Sequence, residues 1–209
     1  MATALIVLAA GKGTRMESDL PKVMHELGGV PLFAHALYAG RALEPERVVL
    51  VAGHGAEMVE KAARGIDPEI EVVVQHDQLG TGHAVAQAAS VLAGFDGDAV
   101  VLYGDTPFIS AETLEAMAAA RATADIVVLG FEAAEPGRYG RLVVEDGQLA
   151  RIVEHKDATE AERAIGLCNS GLVAADAAVL FDLVAGLGND NASGEYYLTD
   201  IVAAGRARG

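Results

Sequence analysis

Five consecutive apolar residues, Ala4-Leu5-Ile6-Val7-Leu8, run directly into a glycine-rich stretch, and short Val/Ile/Leu runs of the same kind recur through the first half of the chain. A strand that is apolar at every position has no face for water. Such strands belong in a parallel sheet covered on both sides by helices. The intervening segments read as those helices. The pattern gives a strand over 4–8, a helix over 31–42 with Pro31 in its first turn, and a strand over 47–51. A helix over 56–64 follows, closed by Gly65, then a strand over 70–74 and a helix over 82–92. A strand over 99–103, a helix over 111–120 and a strand over 125–129 complete this half.

The fold class is therefore α/β: a Rossmann-like, mostly parallel central sheet with helices on both faces. After about residue 132 the pattern changes. Residues 141–144 and 149–153 flank Asp146-Gly147 and read as a hairpin with a tight turn. A strand over 166–174 and helices over 177–184 and 195–207 follow. No linker, repeat or low-complexity segment separates the parts. The expectation is a single domain over 1–209. Residues 1–131 form a nucleotide-binding part and residues 132–209 a small β-rich, substrate-facing extension.

The chain has 209 residues and a formal net charge of −15. That charge argues against nucleic acid as a partner, since phosphate-backbone binding needs clustered Lys and Arg. No apolar run reaches the ~18 residues of a membrane span. The apolar start has no basic flank and no cleavage site, so no signal peptide is read there and a cytoplasmic location is expected. The one cysteine, Cys168, rules out a disulfide framework within the chain and reads as a small core residue. The six histidines show no zinc-site spacing. His83 reads as a packed or capping residue.

Against this acidic background three basic residues stand close together, Lys12, Arg15 and Lys22. They belong to Leu8-Ala9-Ala10-Gly11-Lys12-Gly13-Thr14-Arg15-Met16 and the following Pro21-Lys22. Small residues at a strand's carboxyl end let successive backbone N–H groups approach an anion. Arg15 and Lys22 can neutralise a transferred phosphoryl group and a leaving pyrophosphate. The stretch is neither a P-loop nor a dinucleotide fingerprint. A bare Gly-x-Gly would equally be a glycine turn from strand to helix; Arg15 and Pro21-Lys22 argue against that.

A second strand ends in Tyr103-Gly104-Asp105. Its carboxylate would stand at the same sheet edge and can hold Mg²⁺ against phosphate oxygens. The alternative has Asp105 capping the helix near Ser110 or closing a turn with Pro107. Gln75, at another strand end, offers a donor and an acceptor to a pyrimidine edge. Gly80 and Thr81 bring backbone near that base, with Thr81 also suited to cap a helix. Glu154 and Asn169 suit sugar hydroxyls and an N-acetyl amide.

These residues resemble a known family. The chain is similar, essentially end to end, to the uridylyltransferase part of the bacterial bifunctional N-acetylglucosamine-1-phosphate uridylyltransferase/glucosamine-1-phosphate acetyltransferases, within the nucleotidyltransferase superfamily. The resemblance rests on the loop above, on Leu20-Pro21-Lys22-Val23, and on Gln78-Leu79-Gly80-Thr81-Gly82-His83-Ala84. It also rests on Tyr103-Gly104-Asp105, Tyr139-Gly140-Arg141, Ile152-Val153-Glu154-His155-Lys156-Asp157-Ala158, Asn169-Ser170-Gly171 and Gly194-Glu195-Tyr196-Tyr197-Leu198-Thr199-Asp200. The Glu154–Ala158 and Glu195–Tyr197 stretches are its most specific parts.

The resemblance implies a GT-A-like fold and Mg²⁺-dependent uridylyl transfer from UTP to N-acetylglucosamine 1-phosphate. Arg15 and Lys22 would bind phosphates, with Leu8, Ala9, Ala10 and Gly11 lining the nucleotide. Gln75, Gly80 and Thr81 would hold the uracil, and Asp105 the metal beside Gly104. Gly140, Glu154 and Asn169 would hold the sugar, with Tyr103 lining its pocket. The family places a second metal ligand, an asparagine, and then a hexapeptide-repeat acetyltransferase domain beyond the position of Gly209. Neither is expected within these residues, and trimerisation is not implied. Two other readings stay open: a nucleotidyltransferase for another sugar 1-phosphate or a molybdopterin-type acceptor, and a nucleotide-sugar binding protein without turnover.

Overall fold

The computed structural model describes residues 1–13, 16 and 18–208. In chain order the strands are β1 (Thr3–Ala9), β2 (Glu26–Leu27), β3 (Val30–Pro31), β4 (Arg47–Ala52), β5 (Glu71–Val74), β6 (Asp98–Tyr103), β7 (Ile126–Glu132), β8 (Arg141–Glu145), β9 (Gln148–Val153) and β10 (Leu167–Asp176). The helices are α1 (Leu32–Gly40), α2 (Ala56–Ile66), α3 (Thr81–Ala86), α4 (Ala111–Ala120), α5 (Glu160–Arg163), α6 (Ala177–Ala185) and α7 (Ile201–Arg206).

The main sheet runs β5-β4-β1-β6-β10-β8-β9, with β7 on the other edge of β10. β5, β4, β1 and β6 are mutually parallel, as the apolar runs required. β1 lies at the centre of this half. Its residues alternate between two cores: Ala4, Ile6 and Leu8 pack with Val85 of α3, Leu180 of α6 and Ile201 of α7. Leu5, Val7 and Ala9 pack with Phe33 and Leu37 of α1, Val59 of α2 and Leu114 of α4. Burial of such side chains at roughly 25 cal/mol per Å² is what holds helices to both faces.

β10 is the exception to the parallel order. It runs antiparallel to β6 over Val173–Asp176 and antiparallel to β7. It meets β8 through Cys168 and Arg141. This one long strand joins the parallel half to the β8–β9 hairpin, where Asp146 (φ 51°) and Gly147 (φ 76°) form the tight turn read from Asp-Gly. Cys168 is fully buried, as expected.

Several boundaries differ from the sequence expectation. Pro31 precedes α1 and pairs with Glu26, so the helix begins at Leu32. Gly65 lies inside α2, and the extended Asp67 ends it by donating its N–H to the Ala63 carbonyl. The helix expected over 82–92 is α-helical only to Ala86. Beyond that, the amides of Gln87, Ala88 and Ala89 bond three residues back, the tighter winding common at helix C-termini. The helix expected over 195–207 shrinks to α7 with one 3₁₀ turn before it. Residues 189–197 form a loop instead: Ala192 donates its N–H to Asp157 Oδ1, and Tyr196 pairs its N–H with the Leu79 carbonyl and its carbonyl with the Gly82 N–H.

Candidate active site

The glycine loop leaves β1 at Ala9, at the carboxyl end of the parallel strands. Leu8, Ala9 and Ala10 are buried there, and the Leu8 carbonyl accepts the Gly104 N–H at 2.9 Å. That bond clamps the end of β6 to the start of the loop. Gly13 has φ +60°, and a Cβ on it would lie 2.5 Å from the Cβ of Lys22. Only glycine lets Lys22 fold back over the loop there. Lys22, in the 3₁₀ turn Lys22–Met24, then donates its Nζ to Asp105 Oδ2.

Asp105 is thus neither a helix cap nor a turn closer. Ser110 caps α4 by accepting the Thr113 N–H, and Thr106 closes the turn onto the Tyr103 carbonyl. The Asp105 side chain stays 27% exposed, so a cation can reach it. No group of three or more His, Cys, Asp or Glu suited to a metal occurs among the described residues. One accessible carboxylate fits an ion whose remaining ligands are phosphate oxygens and water, the usual habit of Mg²⁺.

Gln75 is 3% exposed at the end of β5. Its Nε2 donates to the Gly80 carbonyl at 3.0 Å and lies 2.9 Å from His83 Nδ1. The side chain therefore braces the 78–82 loop from below. His83 is packed, as expected: it also touches Gln87, and its ring lies 6.3 Å from that of Tyr196. Gly80, not Thr81, is the N-cap of α3, and it makes no side-chain cap. The Thr81 hydroxyl instead accepts the Leu198 N–H at 3.0 Å.

Gly140, Glu154 and Asn169 come together on the hairpin side. The Asn169 N–H donates to the Gly140 carbonyl at 2.9 Å. A Cβ on Gly140 would stand 3.5 Å from Glu154 Oε1 and 3.5 Å from the Asn169 Cβ. The glycine leaves a methyl-sized recess between two polar side chains. Asn169 Oδ1 accepts the Gly171 N–H at 3.0 Å, within a bulge of β10 between Asn169 and Val173. Bulges re-aim side chains in this way. Burial pushes the Glu154 carboxyl up. The Thr199 hydroxyl bond opposes that shift, and the charges of Asp200, Asp157 and Glu195 add to it.

Tyr103 joins these groups. Burial drives its phenol well above the ordinary tyrosine range. The nearby Thr81 hydroxyl opposes this, while the negative charges of Glu154 and Asp105 reinforce it. Tyr103 thus packs on the Gly171 bulge of β10, within electrostatic reach of Asp105 and Glu154.

Arg15 lies outside the described residues. The sequence reading missed two buried polar groups. Thr199 donates to Glu154 Oε1 at 3.2 Å. Arg141 is 1% exposed and donates to the carbonyls of Gly137, Tyr139 and Arg163, so it fixes the backbone around Gly140 and does not face a ligand. A threonine in a specific C-terminal motif was the available signal for the first. Nothing in the local sequence marks the second.

A small-residue loop at the end of a central parallel strand, facing one carboxylate from the neighbouring strand, is the arrangement of a nucleotide-binding α/β protein. Residues 5–168 match the MobA-like NTP transferase domain, and the chain belongs to that family. Curated relatives are similar over the whole chain. It is 68% identical to the bifunctional protein GlmU of Dinoroseobacter shibae and 64% identical to that of Ruegeria sp. strain TM1040. It covers 47% and 46% of those proteins, so the chain spans about half the length of the curated relatives it matches. The fold is shared with solved sugar nucleotidyltransferases. A UDP-glucose pyrophosphorylase in complex with UDP-glucose superposes with a TM-score of 0.81 at 20% identity, over 100% of this chain and 88% of that one. A putative glucose-1-phosphate thymidylyltransferase from Bacillus anthracis gives 0.79 at 21% identity, over 100% and 84%.

Proposed function

We propose that this chain transfers the uridylyl group of UTP to N-acetylglucosamine 1-phosphate, giving UDP-N-acetylglucosamine and pyrophosphate. The observation that carries the reading is the run Leu198-Thr199: the Leu198 N–H donates to Thr81 Oγ1, and the Thr199 hydroxyl donates to Glu154 Oε1. The base loop and the sugar recess implied by the resemblance are thereby tied to one segment, which supports the reading. The similarity to curated GlmU proteins along the whole chain supports the same acceptor.

In this reading Leu8, Ala9, Ala10 and Gly11 line the nucleotide, and Gln75 sets Gly80 and Thr81 against the uracil. Gly140, Glu154 and Asn169 receive the sugar. The methyl-sized recess at Gly140 and the amide of Asn169 suit an N-acetyl group. Residues 1–131 form the nucleotide part and residues 132–209 the sugar part. Both substrates are small molecules, and the reaction belongs to the cytoplasm and to cell-wall precursor synthesis.

An oxygen of the sugar phosphate attacks the α-phosphorus of UTP. The bond to the bridging α–β oxygen breaks, and its electron pair leaves with pyrophosphate. Asp105, beside Gly104, would hold Mg²⁺, which supplies charge neutralisation at the phosphates when bound. Lys22 and Arg15 bind the negative oxygens as they develop charge. The ion pair of Lys22 with Asp105 keeps both side chains aimed at the loop before substrate arrives. Positioning carries most of the rate, because the protein forms no covalent bond in such a transfer. The test is product identification: UTP and N-acetylglucosamine 1-phosphate incubated with the protein and Mg²⁺ yield UDP-N-acetylglucosamine by mass spectrometry. Its absence would contradict the reading.

A further inference from the structure

The loop over residues 189–197 and the residues after it are tied to both halves of the site. The Tyr196 N–H donates to the Leu79 carbonyl at 2.8 Å, and the Tyr196 carbonyl accepts the Gly82 N–H at 2.8 Å. The Leu198 N–H donates to Thr81. These bonds hold the segment against the base loop. On the other side, Ala192 donates its N–H to Asp157 Oδ1 at 2.8 Å, and Lys156 Nζ donates to Ser193 Oγ at 2.9 Å. The segment thus bridges 78–82 and 156–157.

Thr199 is the next residue along and is only 7% exposed. Its hydroxyl donates to Glu154 Oε1, the same oxygen that borders the Gly140 recess. A half-buried carboxylate among other acidic groups relies on a donor to keep its rotamer. The described residues give Glu154 one side-chain donor, and it is Thr199.

We propose that Thr199 is a positioning residue for the acceptor sugar: it fixes the Glu154 carboxylate against the Gly140–Asn169 recess, from a segment anchored on the base loop. The inference rests on the proposed acceptor reading and deepens it. Thr199 touches no reacting atom, so its loss acts on sugar affinity and leaves nucleotide affinity alone.

Calorimetry with UDP-N-acetylglucosamine and with UDP separates the two. For Thr199→Val, which keeps the shape and removes the donor, the affinity for the UDP-sugar falls about tenfold, the size of a lost hydrogen bond to a charged group, while UDP affinity holds within twofold. Thr199→Ser restores the donor and binds the UDP-sugar within about threefold of the original protein. Melting temperatures of both variants stay within a few degrees of the parent. Equal losses in the valine and serine variants, equal losses for UDP and the UDP-sugar, or no loss in the valine variant would each overturn the proposal. A parent protein that binds the UDP-sugar no more tightly than UDP would contradict the acceptor reading as well. A parent that discriminates, with a valine variant that discriminates equally, would sink only the role of Thr199.

Discussion

Lys22 and Asp105 lie 83 positions apart in the chain and form an ion pair at the mouth of the glycine loop. Their side chains are 39% and 27% exposed. An ion pair so open to water contributes about 1 kcal/mol or less to stability. The pair therefore costs the fold little to lose, while the proposed transfer would lose much. Asp105→Asn is expected to leave the melting temperature within a few degrees while lowering Mg²⁺-dependent turnover by about 100-fold or more. Steady-state rates and thermal denaturation of one preparation check both halves. Retained turnover would remove Asp105 from the metal role.

Gly171 has φ +92°, and a Cβ there would sit 2.6 Å from the Tyr103 ring. Gly171→Ala therefore carries both backbone strain and a steric push on Tyr103. A loss of about 1–3 kcal/mol in urea denaturation is expected. The displaced ring also raises the acceptor KM. A variant as stable as the parent would show that the bulge of β10 relaxes freely.

Arg141 is charged, almost wholly buried, and satisfied by the carbonyls of Gly137, Tyr139 and Arg163. Arg141→Met fills similar volume but orphans those carbonyls. A destabilisation of about 2–4 kcal/mol is expected from equilibrium unfolding, well beyond the usual surface range. A change under about 0.5 kcal/mol would show that the carbonyls find water.

The Glu162 carboxyl is pulled down to about 2, first by the Thr159 hydroxyl and N–H of the α5 capping box and then by Arg151. A carboxyl lowered in the folded state adds stability at pH values above its ordinary range near 4.5. That contribution disappears as pH falls towards about 2. The parent is thus expected to melt higher than Glu162→Gln at pH 7 and to lose that lead between those limits. A pH series of melting temperatures reads it directly. A gap independent of pH would assign the difference to packing.

Local features of the site were legible in the sequence. The loop after β1, Asp105 after β6 and the Asp146-Gly147 turn each declare themselves within about ten residues, because strand ends and turns have local chemistry. Long-range features were not. Nothing near Arg141 says that its guanidinium turns inward to three carbonyls. Nothing near Thr199 says that it meets Glu154, 45 positions earlier. The helix expected over 195–207 starts late for the same reason: Tyr196 pairs its N–H with Leu79 and its carbonyl with Gly82, and those partners outweigh local helix preference. Likewise, an antiparallel β10 between β6 and β7 follows from where the chain returns, and its apolar pattern alone reads as another buried strand.

The measurement that bears most directly on the central claim is pyrophosphate release from UTP and Mg²⁺, with N-acetylglucosamine 1-phosphate, glucose 1-phosphate or no acceptor. The account predicts release with the N-acetylated acceptor, far less with glucose 1-phosphate and none without a sugar phosphate. Equal release with both sugars would contradict the assignment of the Gly140–Glu154–Asn169 recess. No release with either, from folded protein that binds UTP, would contradict the transfer itself.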